Sequence, residues 1–597
     1  FLKRTMNVKK NGSKGGMRNY EAPLPEMFPP PESHRPTLIG EKYMVVAGHP
    51  LVARVATNVL DRGGTAIDAG VAAGLASNVI QADMCNLGGV APILLKLANS
   101  ETVWNIGGVG VWGQGVDVEM YTERYGMDMP EGAACSVVPA ALDAWITALK
   151  NFGTWKLSEV AREAIEYAED GFVLDRRSAL AYELMGAGFK NWKESARIYW
   201  PNERPPVEGD RLCQHDLANT LMRVVSAEMG ATREESLENA RAAFYSGPIA
   251  ESIVKWVQSD GGWMEIQDLE NFRNEVTKAR NYKYKDWLVH TGDVYCQGPV
   301  LLQALSILSR FKLEELEHNG PDYLHLVIEA LKIAFSDREK YYGDTNYTGL
   351  SVDQLLSDDH IEELASYIDM DSVVPDLVTM SMSRSDDTRS IHRRRRDTTN
   401  FSIVDSEGNA FTCSPSDTID GNPLVPGLGI MVSPRGVQSR INLDHPACVQ
   451  TGKRPRLTPA PALALKFSDS KFPQIMSMSA CGGDVIPQGL LQMFLNFVEG
   501  GMSPQQCVES PRIATLAFPD SFFPHVHDFG RLHVESRIDE TTRADLSKRG
   551  HKIKIWPRYE FDASGTAMVV DLRQPSGTSR VLAGGADPRR LLYALGR

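Results

Sequence analysis

The sequence predicts a protein of the α/β (α+β) class, in which layers of helices and strands share one core. Helical segments dominate residues 137–370 and are interrupted by short strand candidates such as WLVHTG. From about residue 400 the pattern changes to β-like runs separated by Gly, Asn and Asp. These runs are FSIVD, NAFTCS, GIMV, ALALKF, IMSMSA, IKIW, AMVVDL and SRVLAG. A helix-rich part followed by a strand-rich part is typical of stacked α and β layers.

The first regular elements are expected from Tyr43 onward. There MVVAGHP predicts a buried strand and a turn, and LVARVATNVLDRGGTAIDAGVAAGLASNVI predicts two helices separated by a Gly-Gly break. The Ala and Gly residues of the second helix allow a neighbour to approach it closely. Between the later strands, QGLLQMFLNFVEG and TTRADLSKRG predict two more helices.

Two segments lack the periodicity of a packed element. Residues 1–36, which include PLPEMFPPPESHRP, predict an extended or disordered N-terminal arm. Residues 381–397 read SMSRSDDTRSIHRRRRD and predict a mobile loop. Because Phe1 is not an initiator residue, we also expect that residues upstream of it are missing.

Composition excludes several classes of protein. The net charge of -13 is spread along the chain, which argues against a nucleic-acid partner. No apolar stretch reaches the roughly 18–20 residues of a membrane span, so no membrane partner is expected. The eight cysteines form no CxxC pair, and no His cluster has zinc spacing. The N-terminus lacks the apolar segment of a secretion signal, and we expect a cytoplasmic enzyme.

The chemistry is concentrated where the predicted loop meets a strand, at Asp397-Thr398-Thr399-Asn400. The segment DTTNFSIVDSEGNAFTCSPSDTID resembles the processing site of the gamma-glutamyltransferase (gamma-glutamyl transpeptidase) family. Further stretches resemble motifs of that family in the family's order: GGTAIDAGVAAGLASNVIQADMCNLGG, QGPVLLQALSILSRF, YLHLVIEALKIAFSDREKYYGD, GKRP and SACGGD. The resemblance covers residues 40–597, and a series of ordered motifs is far more specific than any single one.

The resemblance implies the αββα sandwich of the N-terminal nucleophile hydrolases and a precursor that cuts itself between Asp397 and Thr398. Residues 37–397 would then form the large subunit, and residues 398–597 the small subunit that carries the nucleophile. Cleavage would leave pieces of 397 and 200 residues. In this family the Thr hydroxyl attacks the preceding carbonyl, the acyl group shifts from N to O, and water hydrolyses the ester.

A Thr at a chain N-terminus carries both a nucleophile and a base. Its α-amine has a reference pKa of about 7.7–8.0, so a useful fraction is neutral at physiological pH. The oxyanion formed during acyl transfer needs preorganised donors, and the resemblance assigns that role to Gly482 and Gly483. It also implies that Ser416 and Thr418 lie near the nucleophile, although Thr418 replaces the family's Asn.

The residues that would recognise a glutamyl group depart from the family pattern. The loop NIGGVGVWGQG contains no Arg to pair with the α-carboxylate. The family's paired Ser positions correspond to Leu457 and Thr458. Its Asp position corresponds to Gln438, and a preceding Gln position corresponds to Arg435.

A buried charge without its partner costs several kcal/mol. We therefore predict that γ-glutamyl specificity is lost while the acyl-transfer residues are kept. The pocket is expected to be more apolar, with Trp112 and Leu457 as walls, and Arg435 or Arg456 is a candidate anchor for an anionic group.

The sequence leaves three functions open. The first is a self-processing amidohydrolase that hydrolyses a small, non-glutamyl amide through an acyl-enzyme on Thr398. The second is a true gamma-glutamyltransferase or glutathione hydrolase with a rearranged pocket. The third is an unprocessed, inactive homologue that acts as a binding protein.

No metal or organic cofactor is expected, since the chain supplies nucleophile, base and oxyanion donors. The partners expected are the amide substrate and the two subunits of the precursor, and a dimer of heterodimers remains an alternative.

Overall fold

The computed structural model describes residues 33–189, 192–375, 398–467, 473–572 and 580–597. Most of the predicted N-terminal arm, the predicted loop at 381–397 and Asp397 lie outside the described residues. Within the described ranges the strands are β1 (Leu38–Gly40), β2 (Tyr43–Ala47), β3 (Ile93–Lys96), β4 (Val103–Ile106), β5 (Phe172–Val173), β6 (Arg211–Leu212), β7 (Val276–Lys278), β8 (Arg280–Tyr284), β9 (Trp287–Thr291), β10 (Phe401–Asp405), β11 (Ala410–Cys413), β12 (Ala462–Lys466), β13 (Gln474–Cys481), β14 (Ile513–Thr515), β15 (Arg531–Glu535), β16 (Lys552–Trp556), β17 (Gly565–Asp571), β18 (Leu582–Ala586) and β19 (Tyr593–Gly596).

The helices surround these strands. They are α1 (Pro50–Asp61), α2 (Ala66–Ile80), α3 (Val118–Tyr125), α4 (Ala141–Phe152), α5 (Leu157–Glu169), α6 (Arg176–Phe189), α7 (Lys193–Tyr199), α8 (His215–Ser226), α9 (Arg233–Tyr245), α10 (Pro248–Ser259), α11 (Ile266–Asn271), α12 (Gly298–Leu308), α13 (Pro321–Tyr341), α14 (Thr345–Thr348), α15 (Val352–Leu355), α16 (Asp358–Ser366), α17 (Ile486–Val498), α18 (Pro504–Glu509) and α19 (Glu540–Lys548). Among the helices of the described ranges, none combines the length and the apolarity needed to cross a membrane.

Two seven-stranded antiparallel sheets form the centre of the molecule. One has the order β19-β2-β10-β11-β3-β4-β7, and the other has the order β1-β18-β17-β13-β12-β9-β8. Each sheet combines strands from before and after Thr398, since β10 pairs with β2 in the first sheet and β12 pairs with β9 in the second. The small subunit predicted from the sequence therefore does not fold as a separate layer.

The alternation of side chains along each strand explains how the two sheets stack. In β2, Met44 and Val46 pack into the core between the two sheets, whereas Val45 and Ala47 pack against the helices outside. In β12, Leu463 and Leu465 face the core between the sheets, whereas Ala462 and Ala464 face the opposite helical layer. Helices α1, α2, α4, α5, α8 and α9 cover the first sheet, and α12, α13 and α17 cover the second. The predicted αββα sandwich is confirmed.

The predicted elements after residue 400 are confirmed with one exception. The run GIMV was predicted as a strand, and this prediction is wrong. Met431 makes only an isolated bridge with Leu424, and the Val425 N–H donates to the Ile430 carbonyl at 2.8 Å. These local bonds close a turn, so the apolar side chains are buried without a strand partner.

Helix α2 lies directly behind β10 and β11, as its small residues predicted. A Cβ atom at Gly70 would lie 2.4 Å from the ring of Phe411, and one at Gly74 would lie 2.6 Å from the ring of Trp145. Both glycines allow a close approach to an aromatic ring. Phe411 in turn stacks on Phe401 in the strand that follows Thr398.

Replacing Gly70 with Ala should lower the free energy of unfolding by about 1–3 kcal/mol, because the added methyl group overpacks the contact with Phe411. Chemical denaturation followed by circular dichroism measures the change. Gly292→Ala is the matched control, since its Cβ would meet only the end of the Asn105 side chain, at 3.3 Å. Equal stability of the two variants would contradict the prediction.

Candidate active site

Thr398 lies in the segment that leads directly into β10. Its side chain is buried, and its Oγ1 lies 2.9 Å from the Oγ of Ser416. The Thr399 N–H donates to the Pro415 carbonyl at 3.1 Å, and the Gly48 N–H donates to the Asn400 carbonyl at 3.0 Å. These backbone hydrogen bonds extend the pairing of the sheet to the residues directly before β10. The hydroxyl of Thr398, the predicted nucleophile, therefore has a defined position.

Side chains alternate between the two faces of this extended segment, so Thr398 and Thr399 point in opposite directions. The Thr399 hydroxyl donates to Gln81 Oε1 at 2.8 Å, on the side of helix α2. Asn400 points to the opposite side and donates to Ser479 Oγ of β13 at 3.1 Å. Thr398, two residues before Asn400, is therefore expected on the face that looks toward the second sheet.

Gly482 and Gly483 follow β13 at the same end of the sandwich. Ser414 donates to the Ala480 carbonyl at 3.1 Å, which places the end of β13 against the strands that hold Thr398. Gly482 has a φ of 127° and Gly483 a φ of 67°, and a Cβ at Gly482 would lie 2.8 Å from Val485. The turn requires glycine and precedes α17, so its backbone N–H groups are suited to stabilising an oxyanion.

Two buried side chains hold the Gly-Gly turn in place. Gln297 donates through Nε2 to the carbonyls of Gly483 and Thr458, both at 2.9 Å. Arg338 donates to Gln297 Oε1 at 3.0 Å and also to Asp484. Gln297 and Arg338 lie in two of the motifs that resemble the family, but the sequence alone did not indicate that they belong to the site.

Ser416 connects Thr398 to a buried ion pair. The Ser416 N–H donates to the Val90 carbonyl at 3.0 Å, which fixes its backbone. Arg435 donates one hydrogen bond to Ser416 Oγ and another to the Asp417 carboxylate. Gln438 accepts a hydrogen bond from Arg435 at 3.3 Å. The structure thus brings Thr398, Ser416, Arg435 and Gln438 together, and it adds Asp417, which the sequence analysis missed.

Thr418 lies two residues beyond Ser416 on the same loop. Its hydroxyl donates to Asp420 at 2.8 Å, and its side chain is buried. The hydroxyl is therefore already engaged within the loop, and the predicted contact of Thr418 with a substrate stays a prediction.

Leu457 lies in a small apolar cluster beside Ser416. The cluster consists of Val90, Val109, Tyr295, Cys296 and Leu457. Val90 is the residue whose carbonyl accepts the Ser416 N–H, and Val109 comes from the loop that lacks an Arg. The next residue, Thr458, is buried, and within the described residues its Oγ1 atom has no hydrogen-bond partner. An apolar surface and a single hydroxyl thus occupy the predicted paired Ser positions.

The side chains of Trp112 and Arg456 make hydrogen bonds to residues outside this cluster. Trp112 donates through Nε1 to Ser439 Oγ at 2.9 Å and packs under Gly436. Arg456 donates to Glu339 at 2.8 Å. Burial alone would raise the pKa of Glu339, but the neighbouring guanidinium groups, among them Arg456, hold it well below its usual range. Both side chains make internal contacts, and their predicted roles as pocket wall and anion anchor stay predictions.

Within the described ranges, one group of side chains has the composition of a metal site, formed by His325, Glu329 and His551. The two histidines are joined by a hydrogen bond of 2.9 Å between their ring nitrogens. Lys332 Nζ lies 3.1 and 3.2 Å from the two Glu329 oxygens. The carboxylate is therefore already neutralised by a cation of the chain, which indicates a structural contact.

Comparison with known proteins identifies relatives that are similar over nearly the whole chain. The family model described as gamma-glutamyltranspeptidase matches residues 52–596. The glutathione hydrolase-like YwrD proenzyme of Bacillus subtilis is 27% identical over 556 residues, covering 93% of this chain and 98% of that protein. The Acylase ACY 1 proenzyme of a Pseudomonas species is 27% identical, over 92% of this chain and 94% of that protein. The solved structure of cephalosporin acylase from Bacillus halodurans has a TM-score of 0.80 at 24% identity. The match covers 96% of this chain and 98% of that one.

Replacing Thr398 with Ala should leave the chain intact at 65.9 kDa, because no hydroxyl is then available to attack the preceding carbonyl. The wild-type chain should yield pieces of 397 and 200 residues, the smaller of which begins Thr-Thr-Asn-Phe-Ser. A denaturing gel with N-terminal sequencing measures both outcomes. Thr399→Ser is the control and should still be processed, since it keeps the hydroxyl that contacts Gln81. A cut at the same bond in Thr398→Ala would contradict the prediction.

Proposed function

Because the chain belongs to the gamma-glutamyltranspeptidase family of N-terminal nucleophile amide hydrolases, we propose that Thr398 forms an acyl-enzyme with a small, non-glutamyl amide. The observation that carries the proposal is the apolar cluster around Leu457 next to Ser416. A pocket that recognises an acyl group must match its polarity, since an unpaired charge buried there would cost several kcal/mol.

The proposed reaction uses groups that lie close to Thr398. After cleavage, the free α-amine of Thr398 takes the proton from its own Oγ1, directly or through one water. Oγ1 then attacks the carbonyl of the substrate amide, and the N–H groups of the turn at Gly482 and Gly483 stabilise the oxyanion. The bond to the nitrogen breaks, the amine leaves with the proton, and water hydrolyses the remaining ester.

A glutamyl substrate would bring a carboxylate and an ammonium group into the pocket. The loop that contains Val109 provides no cation, and Leu457 provides no hydrogen bond from its side chain. Gln438 carries no charge to pair with an ammonium group. Arg435 is buried and already paired with Asp417, so a substrate carboxylate would have to compete with that carboxylate.

The relatives support a reaction of this kind and also define the alternative. Acylase ACY 1 is named as an acylase, which fits an amide hydrolase with an acyl-binding pocket. The YwrD protein is named as glutathione hydrolase-like, so a gamma-glutamyl hydrolase with a rearranged pocket remains the competing function.

The processed enzyme should hydrolyse a butyryl or hexanoyl p-nitroanilide with a kcat/KM at least about 100-fold above that of γ-glutamyl p-nitroanilide, because the latter must bury two unpaired charges. Release of nitroaniline, followed by absorbance, measures both rates. Equal or faster release from the γ-glutamyl compound would contradict the proposed specificity and favour the alternative.

Replacing Leu457 with Ala should lower kcat/KM for the apolar anilide by about 10-fold, through lost contact area in the pocket. Leu592→Ala is the matched control, since Leu592 is equally buried but lies in the core between the two sheets. If both variants lose activity equally, the loss reflects stability, and Leu457 does not recognise the substrate.

A further inference from the structure

We propose that Arg435 and Asp417 act as a positioning pair for Thr398, through Ser416. The inference rests on the proposed role of Thr398 as the nucleophile, and it assigns Arg435 a function other than holding a substrate anion. In this arrangement the guanidinium group orients the Ser416 hydroxyl toward Thr398 Oγ1. Its charge also favours the neutral form of the Thr398 α-amine, and Asp417 limits that effect.

The contacts form a continuous chain of buried side chains. Thr398 Oγ1 lies 2.9 Å from Ser416 Oγ, and Ser416 Oγ accepts a hydrogen bond from Arg435 Nη2. Arg435 Nε donates to the carboxylate of Asp417. Arg435 is 2% exposed and Asp417 is 1% exposed, so water screens this ion pair little.

The direction of these hydrogen bonds follows from the chemistry of Arg. A guanidinium group has donors and no acceptor, so Ser416 Oγ must be the acceptor of the bond from Arg435. The hydroxyl proton of Ser416 then points away from the guanidinium group and is suited to donation to Thr398 Oγ1. Such a hydrogen bond grows stronger as negative charge develops on Oγ1 during its attack, and a cation behind Ser416 strengthens it further.

The same charge acts on the base. A cation a few ångströms from an amine disfavours its protonated form and lowers its pKa. Arg435 contacts Ser416 directly and Asp417 pairs with Arg435, so these two charges act on the amine in opposite directions. Asp420, which accepts the hydrogen bond of Thr418, is a further carboxylate on the same loop.

In the apolar cluster beside Ser416, burial raises the thiol pKa of Cys296 to about 12, so this thiol stays uncharged. Arg454 and Asp293 also act on that thiol, in opposite directions.

Asp417 is held in an unusual conformation that aims its carboxylate at Arg435. Its φ is 91°, in a region that residues other than glycine adopt only when their surroundings enforce it. Asn86 donates to its carbonyl at 2.9 Å, and Ser433 donates to its second carboxylate oxygen at 2.6 Å. The Phe522 ring lies 5.4 Å from the guanidinium carbon of Arg435. The surroundings thus define the position of both charges.

The test compares the pH dependence of kcat/KM for an apolar acyl p-nitroanilide among processed enzymes. The acidic limb is the part of the pH profile in which kcat/KM rises as the Thr398 α-amine loses its proton. In Arg435→Gln, the pKa of this limb should rise by about half a unit or more, since the cation no longer disfavours the ammonium form of the amine. The kcat should fall at least about 10-fold, with KM changed by less than about 3-fold, because the hydrogen bond to the developing alkoxide is weakened. In Asp417→Asn, which removes only the carboxylate charge, the limb should move to lower pH.

Arg435→Lys is the conservative variant and should keep the acidic limb near its wild-type position, because it keeps the charge. An unchanged limb in both Arg435→Gln and Asp417→Asn would overturn the inference. A rise in KM confined to substrates with a carboxylate would also overturn it, in favour of an anion anchor. If Arg435→Gln is not processed, Asp417→Asn still tests the shift to lower pH, and Arg435→Lys still tests whether the cation alone keeps the acidic limb in place. Activity retained by Thr398→Ala would refute the proposed function itself, which is a distinguishable result.

Discussion

The pairing of β10 on both of its edges is the constraint on which the site depends. Strand β2 binds one edge of β10 and β11 binds the other, so the segment that begins at Thr398 has no freedom to move sideways. Cleavage before Thr398 would break one peptide bond but none of these ladder hydrogen bonds. A new chain end would therefore appear at a position that the sheet has already fixed, which is the condition for an N-terminal nucleophile to be preorganised.

The same end of the sandwich collects several buried polar groups between the two sheets. Asn400, Ser402, Thr412 and Ser479 bond to one another or to backbone between the two sheets, close to the strand ends. Arg338 and Gln297 brace the Gly-Gly turn from the helical side. Each of these buried side chains makes at least one hydrogen bond, which offsets part of the cost of burying it, and their mutual bonds restrict the side chains around the nucleophile.

The sequence was sufficient to predict the layered fold, the position of Thr398 and the Gly-Gly turn, because each depends on local patterns or on motifs with fixed spacing. It did not predict that strands from before residue 398 complete both sheets, since strand pairing is a long-range property. The prediction of a strand at GIMV was wrong for a related reason, because the apolar residues of a buried turn can have the same composition as a strand. Asp417 was missed because its role depends on Arg435, 18 positions later in the chain, and on a backbone conformation that composition does not reveal.

The most direct test of the account is the mass of the 200-residue piece during turnover of a slowly hydrolysed apolar acyl amide or ester. After an acid quench, intact-mass measurement should show a population heavier by the acyl group, and peptide mapping should place that group on the N-terminal peptide, at Thr398. An acyl group on another residue would contradict the account. So would turnover by a chain whose bond before Thr398 is still intact.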